Sequence, residues 1–334
     1  MEGMETAHTV LPYTICSLLK RRGRLALACL LLSAALWAGG CGSNEPRVSA
    51  PTAEVDPAKV QKGARDNTPL CLTTEAPGTL VYETPEVTLD ASHTDKGYFC
   101  VRCSADAAKI KLQVAAPNDV IYTYNLKSGD DYTVIPLSLG DGVYRVGVYT
   151  NLQDNMYAAI FSQDLEVTLE DALTPFLYPN TFVDFQEGMA AVDAAEAACY
   201  PAADDLEAVA AIYGYVTSHL TYDYVKAATV ESGYIPDVDA MLAEGKGICF
   251  DYASLMAAML RSQQIPARLE IGYAGTVYHA WISTYIREIG WIDGIIHFDG
   301  TDWSLMDPTV ASNAEDPSLN GMADSSQYRT LYMY

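Results

Sequence analysis

The sequence predicts an α+β protein in which an all-β part precedes a part with helices and an antiparallel sheet. Residues 67–172 contain short runs of alternating apolar and polar residues, separated by turn residues, as is typical of strands. Residues 201–218 and the segment after Cys249 place apolar residues at helical spacing, and strand-like runs follow up to residue 306. A helix packed on an antiparallel sheet is an α+β arrangement.

The N-terminus has the pattern of a secretory signal. Lys20–Arg24 is basic, and Leu25–Gly40 is an apolar run that is short for a membrane span. The segment Ala38-Gly-Gly-Cys41 resembles the lipobox of bacterial lipoproteins, which implies cleavage before Cys41 and lipid attachment to its thiol. We therefore predict a signal peptide over residues 1–40 and an extracytoplasmic lipoprotein, anchored in the membrane at the cell surface through Cys41. Simple secretion and an uncleaved signal anchor are the alternatives.

The rest of the chain divides by composition into four segments. Residues 41–66 are small and polar, which predicts a flexible tether. Residues 67–172 predict a β-sandwich-like accessory domain, the proline-containing residues 173–195 a linker, and residues 196–334 a second domain. Strands of the first domain are expected at Val87–Asp90, Lys109–Val114, Val120–Tyr124 and Gly142–Tyr149.

In the second domain, a helix is expected over residues 201–218, with Pro201 and Asp204 near its start. Residues 224–246 are expected to be rich in loops. A second helix is expected to begin at Cys249 and to end before Pro266. Strands are then expected at residues 267–273, 279–287, 292–299 and 303–306.

Charge and motifs exclude several classes of function. The chain has 43 Asp and Glu against 20 Lys and Arg, a net charge of −23, so the basic footprint of a nucleic-acid-binding protein is missing. The acidity indicates a soluble surface outside the cell more than a site for cationic partners. Metal-protease, P-loop and dinucleotide-binding motifs are missing as well, so neither a cofactor nor a metal is predicted.

Five cysteines lie beyond the predicted leader and lipid anchor: Cys71, Cys100, Cys103, Cys199 and Cys249. Disulfides are permitted outside the cytoplasm, and an odd number leaves one free thiol, for which Cys249 is the natural candidate. Cys71 can pair with Cys100 or with Cys103. Cys100 and Cys103 would face opposite sides of a strand, and a second ligand pair is missing, so a zinc site or a redox function is not favoured.

Three residues of the second domain have the side chains needed for nucleophilic catalysis. Cys249 follows Gly247 at a predicted helix start, where the helix dipole and a nearby imidazolium favour the thiolate. His279 lies in an alternating strand within Tyr-His-Ala-Trp, and Asp307 lies in Asp-Pro-Thr. A carboxylate can fix the tautomer and the orientation of an imidazole.

Over roughly residues 200–310, these motifs resemble the transglutaminase-like superfamily, with a Cys that opens a helix, a His in a following strand and an Asp beside Pro-Thr. The resemblance implies a papain-like fold, in which the helix bearing the Cys packs on an antiparallel sheet. It also implies a catalytic triad of Cys249, His279 and Asp307.

The base and the carboxylate have alternative candidates. These are His219 and His297 for the base, and Asp293, Asp299 and Asp302 for the carboxylate. The backbone N–H of Cys249 is a reasonable oxyanion donor.

The predicted reaction is acyl transfer through a Cys249 thioester on peptide or glutamine amide bonds, with hydrolysis slightly favoured over cross-linking to an amine. The expected partners are protein or peptide-like substrates, including cell-wall or surface proteins. The main alternative is a non-catalytic protein that uses the same fold to bind ligands at the cell surface or in the cell wall. A cytoplasmic oxidoreductase that uses Cys100 and Cys103 is a distant third.

Overall fold

The computed structural model describes residues 60–293 and 328–334, together with the backbone of two further strands, Ile296–Phe298 and Trp303–Leu305. The described residues all belong to one compact unit. Two predicted sites, the lipidation site Cys41 and the triad residue Asp307, lie outside the described residues, and both stay predictions.

Eight strands form two four-stranded antiparallel sheets in the N-terminal part. In chain order they are β1 (Val81–Glu83), β2 (Val87–Asp90), β3 (Tyr98–Cys103), β4 (Ile110–Ala115), β5 (Ile121–Leu126), β6 (Thr133–Pro136), β7 (Gly142–Gln153) and β8 (Met156–Val167). One sheet has the order β1-β2-β3-β6 and the other the order β5-β4-β7-β8. The four predicted strands correspond to β2, β4, β5 and β7.

Strands β4 and β5 alternate buried and less buried residues, as expected when one face of a sheet packs on a partner layer. In β5, for example, Tyr122, Tyr124 and Leu126 are buried, while the residues between them are exposed. The buried faces of the two sheets contribute to the same hydrophobic core. The β-rich N-terminal part of the prediction is therefore confirmed.

The remaining elements form a mixed α and β layer structure. In chain order they are α1 (Ala190–Cys199), α2 (Asp205–His219), β9 (Thr221–Tyr222), α3 (Tyr224–Thr229), α4 (Val238–Glu244), β10 (Lys246–Gly247), α5 (Cys249–Ser262), β11 (Ala267–Ala274), β12 (Val277–Ile286), β13 (Gly290–Ile292), β14 (Ile296–Phe298), β15 (Trp303–Leu305) and β16 (Tyr328–Met333). The main sheet is antiparallel, with the order β13-β12-β11-β16. Helix α5 packs against β11 and β12 on one side and against α1, α2 and α4 on others, which confirms the α+β class.

Residues 224–246, expected to be rich in loops, contain the two short helices α3 and α4. Asp223 and Asp237 cap them, because their carboxylates accept the N–H groups of Lys226 and Ala240 at 2.9 Å each. Gly245 ends α4 in the left-handed conformation, with a φ of 66°. Helices of 6 and 7 residues are too short to show the apolar periodicity on which the prediction depended.

Residues 63–66, at the end of the predicted tether, are bound to the helical part. The N–H of Gly63 donates to the carbonyl of Tyr200 at 2.9 Å, and Arg65 pairs with Asp205 at 2.7 Å. A Cβ atom at Gly63 would lie 2.0 Å from the carbonyl oxygen of Ala202, so the two backbones pack closely. This segment is therefore packed against the helical part, and for residues 41–59 the tether stays a prediction.

An aromatic cluster joins the β-rich part to α5. The ring of Phe182 stacks on Tyr124 of β5 with a centroid distance of 5.7 Å, and it also contacts Phe250 of α5 at 5.5 Å. Tyr334 packs edge-on against Phe182 at 4.7 Å and against Tyr122 at 5.5 Å. Because Phe250 follows Cys249 directly, this cluster holds the start of α5 against the β-rich part.

The other end of α5 is held by Arg261, whose side chain is 0% exposed. Its guanidinium donates to the carbonyl of Ala267 at 3.1 and 2.7 Å, to that of Tyr178 at 2.7 Å and to that of Tyr334 at 2.9 Å. Arg261 thus ties the end of the helix to β11, to the segment before α1 and to the end of the main sheet.

Candidate active site

Cys249 is the first residue of α5, and its side chain is partly exposed. Ile248, immediately before it, is extended, with φ −99° and ψ 174°, so the chain turns into the helix at Cys249. The N–H groups of a first helical turn lack helical partners, and together with the helix dipole they favour a negative charge. The helix begins where the sequence predicted it, and the thiol lies at its N-terminal end.

The start of α5 is fixed by a buried carboxylate, that of Asp251. This residue is 0% exposed, and its Oδ2 accepts the N–H of Ile248 at 2.8 Å. Lys226 Nζ donates to the same oxygen at 2.7 Å, and the Tyr234 hydroxyl donates to Oδ1 at 2.6 Å. Sequence reasoning missed Asp251. An acidic residue at the third helical position, where it can accept the N–H of the N-cap residue, is the signal that could have found it.

The two donors are also bonded to each other, since Lys226 Nζ lies 2.6 Å from the Tyr234 hydroxyl and 4.4 Å from the centre of its ring. Burial by itself would lower the pKa of Lys226, but the hydrogen bonds to Asp251 and Tyr234 outweigh it, and the pKa is raised. Burial and the hydrogen bond to Asp251 raise the pKa of Tyr234. Both donors therefore keep their protons at neutral pH.

Gly247 allows this packing. A Cβ atom there would lie 2.7 Å from Asp251 Cβ and 2.9 Å from Met241 Sδ. The short strand of Gly247 pairs in parallel with Tyr222, and its carbonyl accepts the N–H of Asp223 at 2.8 Å. The glycine before the helix therefore gives Asp251 the space to reach back to the N-cap residue.

His279 lies on β12, 3% exposed, and pairs with Gly272 of β11. The guanidinium of Arg261, near the end of α5, bonds to Ala267 at the start of β11, so the chain reverses between these elements. From Arg261 back to Cys249 is 261 − 249 = 12 residues, about 18 Å at 1.5 Å each. From Ala267 to Gly272 is 272 − 267 = 5 residues, about 17 Å. The span of α5 from Cys249 to Arg261 and the span of β11 from Ala267 to Gly272 are therefore similar in length.

The imidazole of His279 has aromatic neighbours. Its ring centre lies 6.3 Å from Trp281 and 6.3 Å from Tyr328, and these two rings meet edge-on at 4.9 Å. Strand β11 lies between β12, which carries His279 and Trp281, and β16, which carries Tyr328. The next residue of β12, Ala280, points to the opposite face and joins the hydrophobic core. Contact between the thiol of Cys249 and the imidazole of His279 stays a prediction.

A second buried carboxylate, that of Glu270, lies on the same sheet face as His279. The hydroxyls of Ser283 and Thr330 donate to its two oxygens at 2.6 and 2.5 Å. These residues belong to β12 and β16, on either side of β11. Since both oxygens are engaged by hydroxyls, Glu270 links the three strands. The sequence did not single it out.

Two of the competing candidates lie among the described side chains. His219 is exposed at the end of α2, where its ring stacks on Tyr215 at 3.8 Å and its Nδ1 lies 2.8 Å from the Tyr215 carbonyl oxygen. Asp293 is exposed, and its charge acts on Arg268. His219 is thus engaged with its own helix, and Asp293 interacts electrostatically with the partly buried Arg268. The side chains of the other candidates, His297, Asp299 and Asp302, lie outside the described part of the chain.

The other four described cysteines are poor nucleophiles. Burial raises the pKa of Cys100 to about 12 and that of Cys199 to about 11, and it also raises the pKa of Cys71 and of Cys103. All are free thiols, so the pairing of Cys71 with Cys100 or Cys103 is not formed. Cys100 and Cys103 are both buried and unpaired, which gives no support to a redox function.

Within residues 60–293 and 328–334, no group of three or more His, Cys, Asp or Glu side chains is arranged to hold a metal ion. In the same part of the chain, no helix has the length and apolar character needed to cross a membrane.

In a comparison with known protein families, part of the chain matches one family profile. Residues 193–294 match the profile of the transglutaminase-like superfamily, a segment that includes Cys249 and His279 and ends before Asp307. None of the curated proteins compared with the chain matches it in sequence.

Three solved structures are similar to this chain. A candidate cysteine protease from Cytophaga hutchinsonii is 17% identical, with a TM-score of 0.31, over 64% of this chain and 78% of that protein. The transglutaminase of red sea bream is 14% identical, with a TM-score of 0.28, over 64% and 48%. A candidate protease from Parabacteroides distasonis is 13% identical, with a TM-score of 0.28, over 62% and 57%.

The chain thus spans about half the length of the latter two proteins, and the identities and TM-scores are too low to transfer an activity or a substrate. The profile match rests on sequence, and it falls on the segment in which α5 opens at Cys249 and packs against an antiparallel sheet. Residues 193–294 are therefore similar to the transglutaminase-like superfamily, and the match covers about a third of the chain.

Proposed function

We propose that the chain is a cysteine enzyme that transfers acyl groups through a thioester on Cys249, with hydrolysis of peptide or glutamine amide bonds favoured over cross-linking. One observation carries the proposal. A partly exposed thiol occupies the first position of a 14-residue helix, and the buried carboxylate of Asp251 holds that helix start in place. The family match supports a cysteine-type enzyme at this coarse level.

In the proposed reaction, His279 takes the proton of the Cys249 thiol, and the thiolate attacks the carbonyl carbon of an amide. The backbone N–H of Cys249 donates to the oxyanion of the tetrahedral intermediate. The C–N bond then breaks, His279 returns the proton to the leaving amine, and a thioester remains.

The second half of the reaction decides the product. Attack of water on the thioester releases a carboxylic acid and restores the thiol, which completes hydrolysis. Attack of a primary amine gives a new amide instead. Asp307 is proposed to accept the ring N–H of His279 and so to fix its tautomer.

The location of the enzyme is a further part of the proposal. The basic and apolar leader and the lipobox-like segment support a lipid anchor at Cys41 and a site of action outside the cytoplasm. Protein or peptide-like polymers of the cell wall or cell surface are the proposed substrates. Loss of metabolic lipid labelling in a Cys41→Ser variant tests the anchor directly.

The enzymatic proposal is tested with a glutamine peptide, offered to the purified protein with and without a primary amine. Released ammonia, new carboxyl groups and amine adducts are measured. We expect Cys249→Ala to lower turnover at least about 1,000-fold, because the nucleophile is lost. Cys71→Ala is the matched control, since it also removes a partly exposed thiol, and it should keep wild-type turnover.

Turnover that survives in the Cys249→Ala protein would overturn the mechanism. A wild-type protein that turns over no amide, and whose Cys249 reacts with iodoacetamide no faster than a free thiol, would favour the non-catalytic binding protein instead.

A further inference from the structure

Three side chains, Lys226, Tyr234 and Asp251, form a hydrogen-bonded group that we call the Asp251 network. Lys226 comes from α3, Tyr234 from the loop after it and Asp251 from the first turn of α5. Each member bonds to both others, at 2.6 to 2.7 Å. The network bonds directly to the backbone N–H of Ile248, the residue before Cys249.

The network places a buried negative charge in the same helical turn as the thiol. The carboxylate of Asp251 is 0% exposed, and in a protein interior the interaction between charges is several times stronger than in water. A like charge a few ångströms away disfavours ionisation of a thiol. Without a counter-ion, Asp251 would therefore oppose the thiolate form of Cys249.

Lys226 supplies that counter-ion at 2.7 Å, and its own side chain is only 29% exposed, so solvent screens the pair weakly. Tyr234 adds a second donor to the carboxylate. Beyond the network, elements that pack against α5 or pair with β10 carry further titratable side chains, which include Tyr213 on α2, Tyr222 and Asp223 at β9, Glu244 on α4, Lys246 on β10 and His279 on β12. Lys246 and Asp223 pair with each other at 3.2 Å, and Lys246 is half exposed.

We propose that the Asp251 network sets the protonation of Cys249. Lys226 and Tyr234 neutralise Asp251, so that this carboxylate can fix the helix start without opposing a thiolate beside it. Its value for catalysis rests on the proposed function of Cys249 as the nucleophile. Lys226, Tyr234 and Asp251 act through Cys249 and are positioning residues.

The effect is measured as the pH midpoint of Cys249 alkylation. Wild type and variants of the full chain react briefly with iodoacetamide at pH values from about 5 to 10, and mass spectrometry locates the adduct on Cys249. Lys226→Met leaves the carboxylate without its counter-ion and should raise the midpoint by about 1–2 pH units. Asp251→Asn leaves the cation without its counter-ion and should lower the midpoint by about 1 unit.

The opposite signs distinguish an electrostatic effect from damage to the helix start, because damage would move both variants in one direction. The double variant Lys226→Met/Asp251→Asn should return towards wild type. Lys226→Arg keeps the charge and should stay within about 0.5 unit.

Lys246→Met is the matched control. It also removes a lysine paired with an aspartate near the start of α5, but this pair is more exposed and therefore better screened. We expect its midpoint to lie close to that of wild type. Tyr234→Phe, which keeps the ring and loses the hydroxyl, should give a smaller rise than Lys226→Met and serves as a second test if that variant does not fold.

Midpoints that move in the same direction in Lys226→Met and Asp251→Asn, or in neither, would overturn the proposal. Turnover of the glutamine peptide is a separate readout. Opposite shifts of the midpoint in a protein without turnover would support the proposed effect of the network and refute the enzymatic function. Turnover without opposite shifts would support the enzymatic function and refute the proposed effect of the network.

Discussion

Replacing Gly272 by alanine should detach β16 from the main sheet. A Cβ atom at this position would lie 2.0 Å from the carbonyl oxygen of Arg329 and 3.0 Å from the backbone nitrogen of Leu331. Ordinary contact with a Cβ begins at 3.4 Å, so the backbones must separate by about 3.4 − 2.0 = 1.4 Å. A backbone cannot rotate away as a side chain can, and the ladder between β11 and β16 has to absorb the displacement.

The expected cost follows from that geometry. Overpacking in a tight site costs about 1–3 kcal/mol, and each ladder hydrogen bond lost adds about 0.5–1.5 kcal/mol. The register between β11 and β16 already shifts between Ile271 and Gly272. We expect Gly272→Ala to lower the free energy of unfolding by about 3 kcal/mol.

Gly214 offers a control of opposite sign. It is exposed within α2, and a Cβ there would meet nothing within 4 Å. Alanine is the better helix former by about 1 kcal/mol, so Gly214→Ala should stabilise the protein by about that amount. Urea unfolding monitored by tryptophan fluorescence measures both. If Gly272→Ala unfolds within about 0.5 kcal/mol of wild type, the close approach of β16 to β11 is wrong.

Three further predictions test other parts of the structure. Arg261→Met should lower the free energy of unfolding by about 2–4 kcal/mol in the same urea assay, because it removes charge-assisted bonds to three carbonyl groups, and a neutral result would refute its structural importance. His279→Ala should reduce amide turnover at least about 100-fold while His219→Ala does not, and equal losses would refute the choice of base. Burial raises the pKa of Cys100 from 9.0 to about 12, so the unfolded chain releases this proton first and stability falls as pH rises across that range. Cys100→Ala should flatten this fall, as measured by urea unfolding at several pH values, and an unchanged slope would contradict the burial of the thiol.

Much of the fold was predictable from local patterns. The strands of the β-rich part have alternating apolar residues, and α2 and α5 have apolar residues at helical spacing, so both periodicities appear in the sequence. The short helices α3 and α4 escaped this reasoning because capping by Asp223 and Asp237 defines them, and periodicity does not. The docking of residues 63–66 escaped it as well, since polar composition says nothing of an ion pair such as that of Arg65 with Asp205.

At the candidate site, local reasoning placed Cys249 at a helix start and His279 on a strand, and the structure has both there. It passed over Asp251, although that residue is only two positions from Cys249. Read alone, an aspartate in a first helical turn suggests a solvated cap. Complete burial and two side-chain donors distinguish this one from such a cap.

The local sequence thus determines the helices and strands, because helix caps and apolar periodicity act between residues a few positions apart. The local sequence also identifies Cys249 and His279 as candidate catalytic residues. The surroundings of that chemistry depend on packing between segments that are distant along the chain. Lys226 and Tyr234 reach Asp251 across 25 and 17 residues, and Arg261 reaches Tyr178 across 83. A buried charge needs partners, and only the packing of these segments determines which side chains meet it.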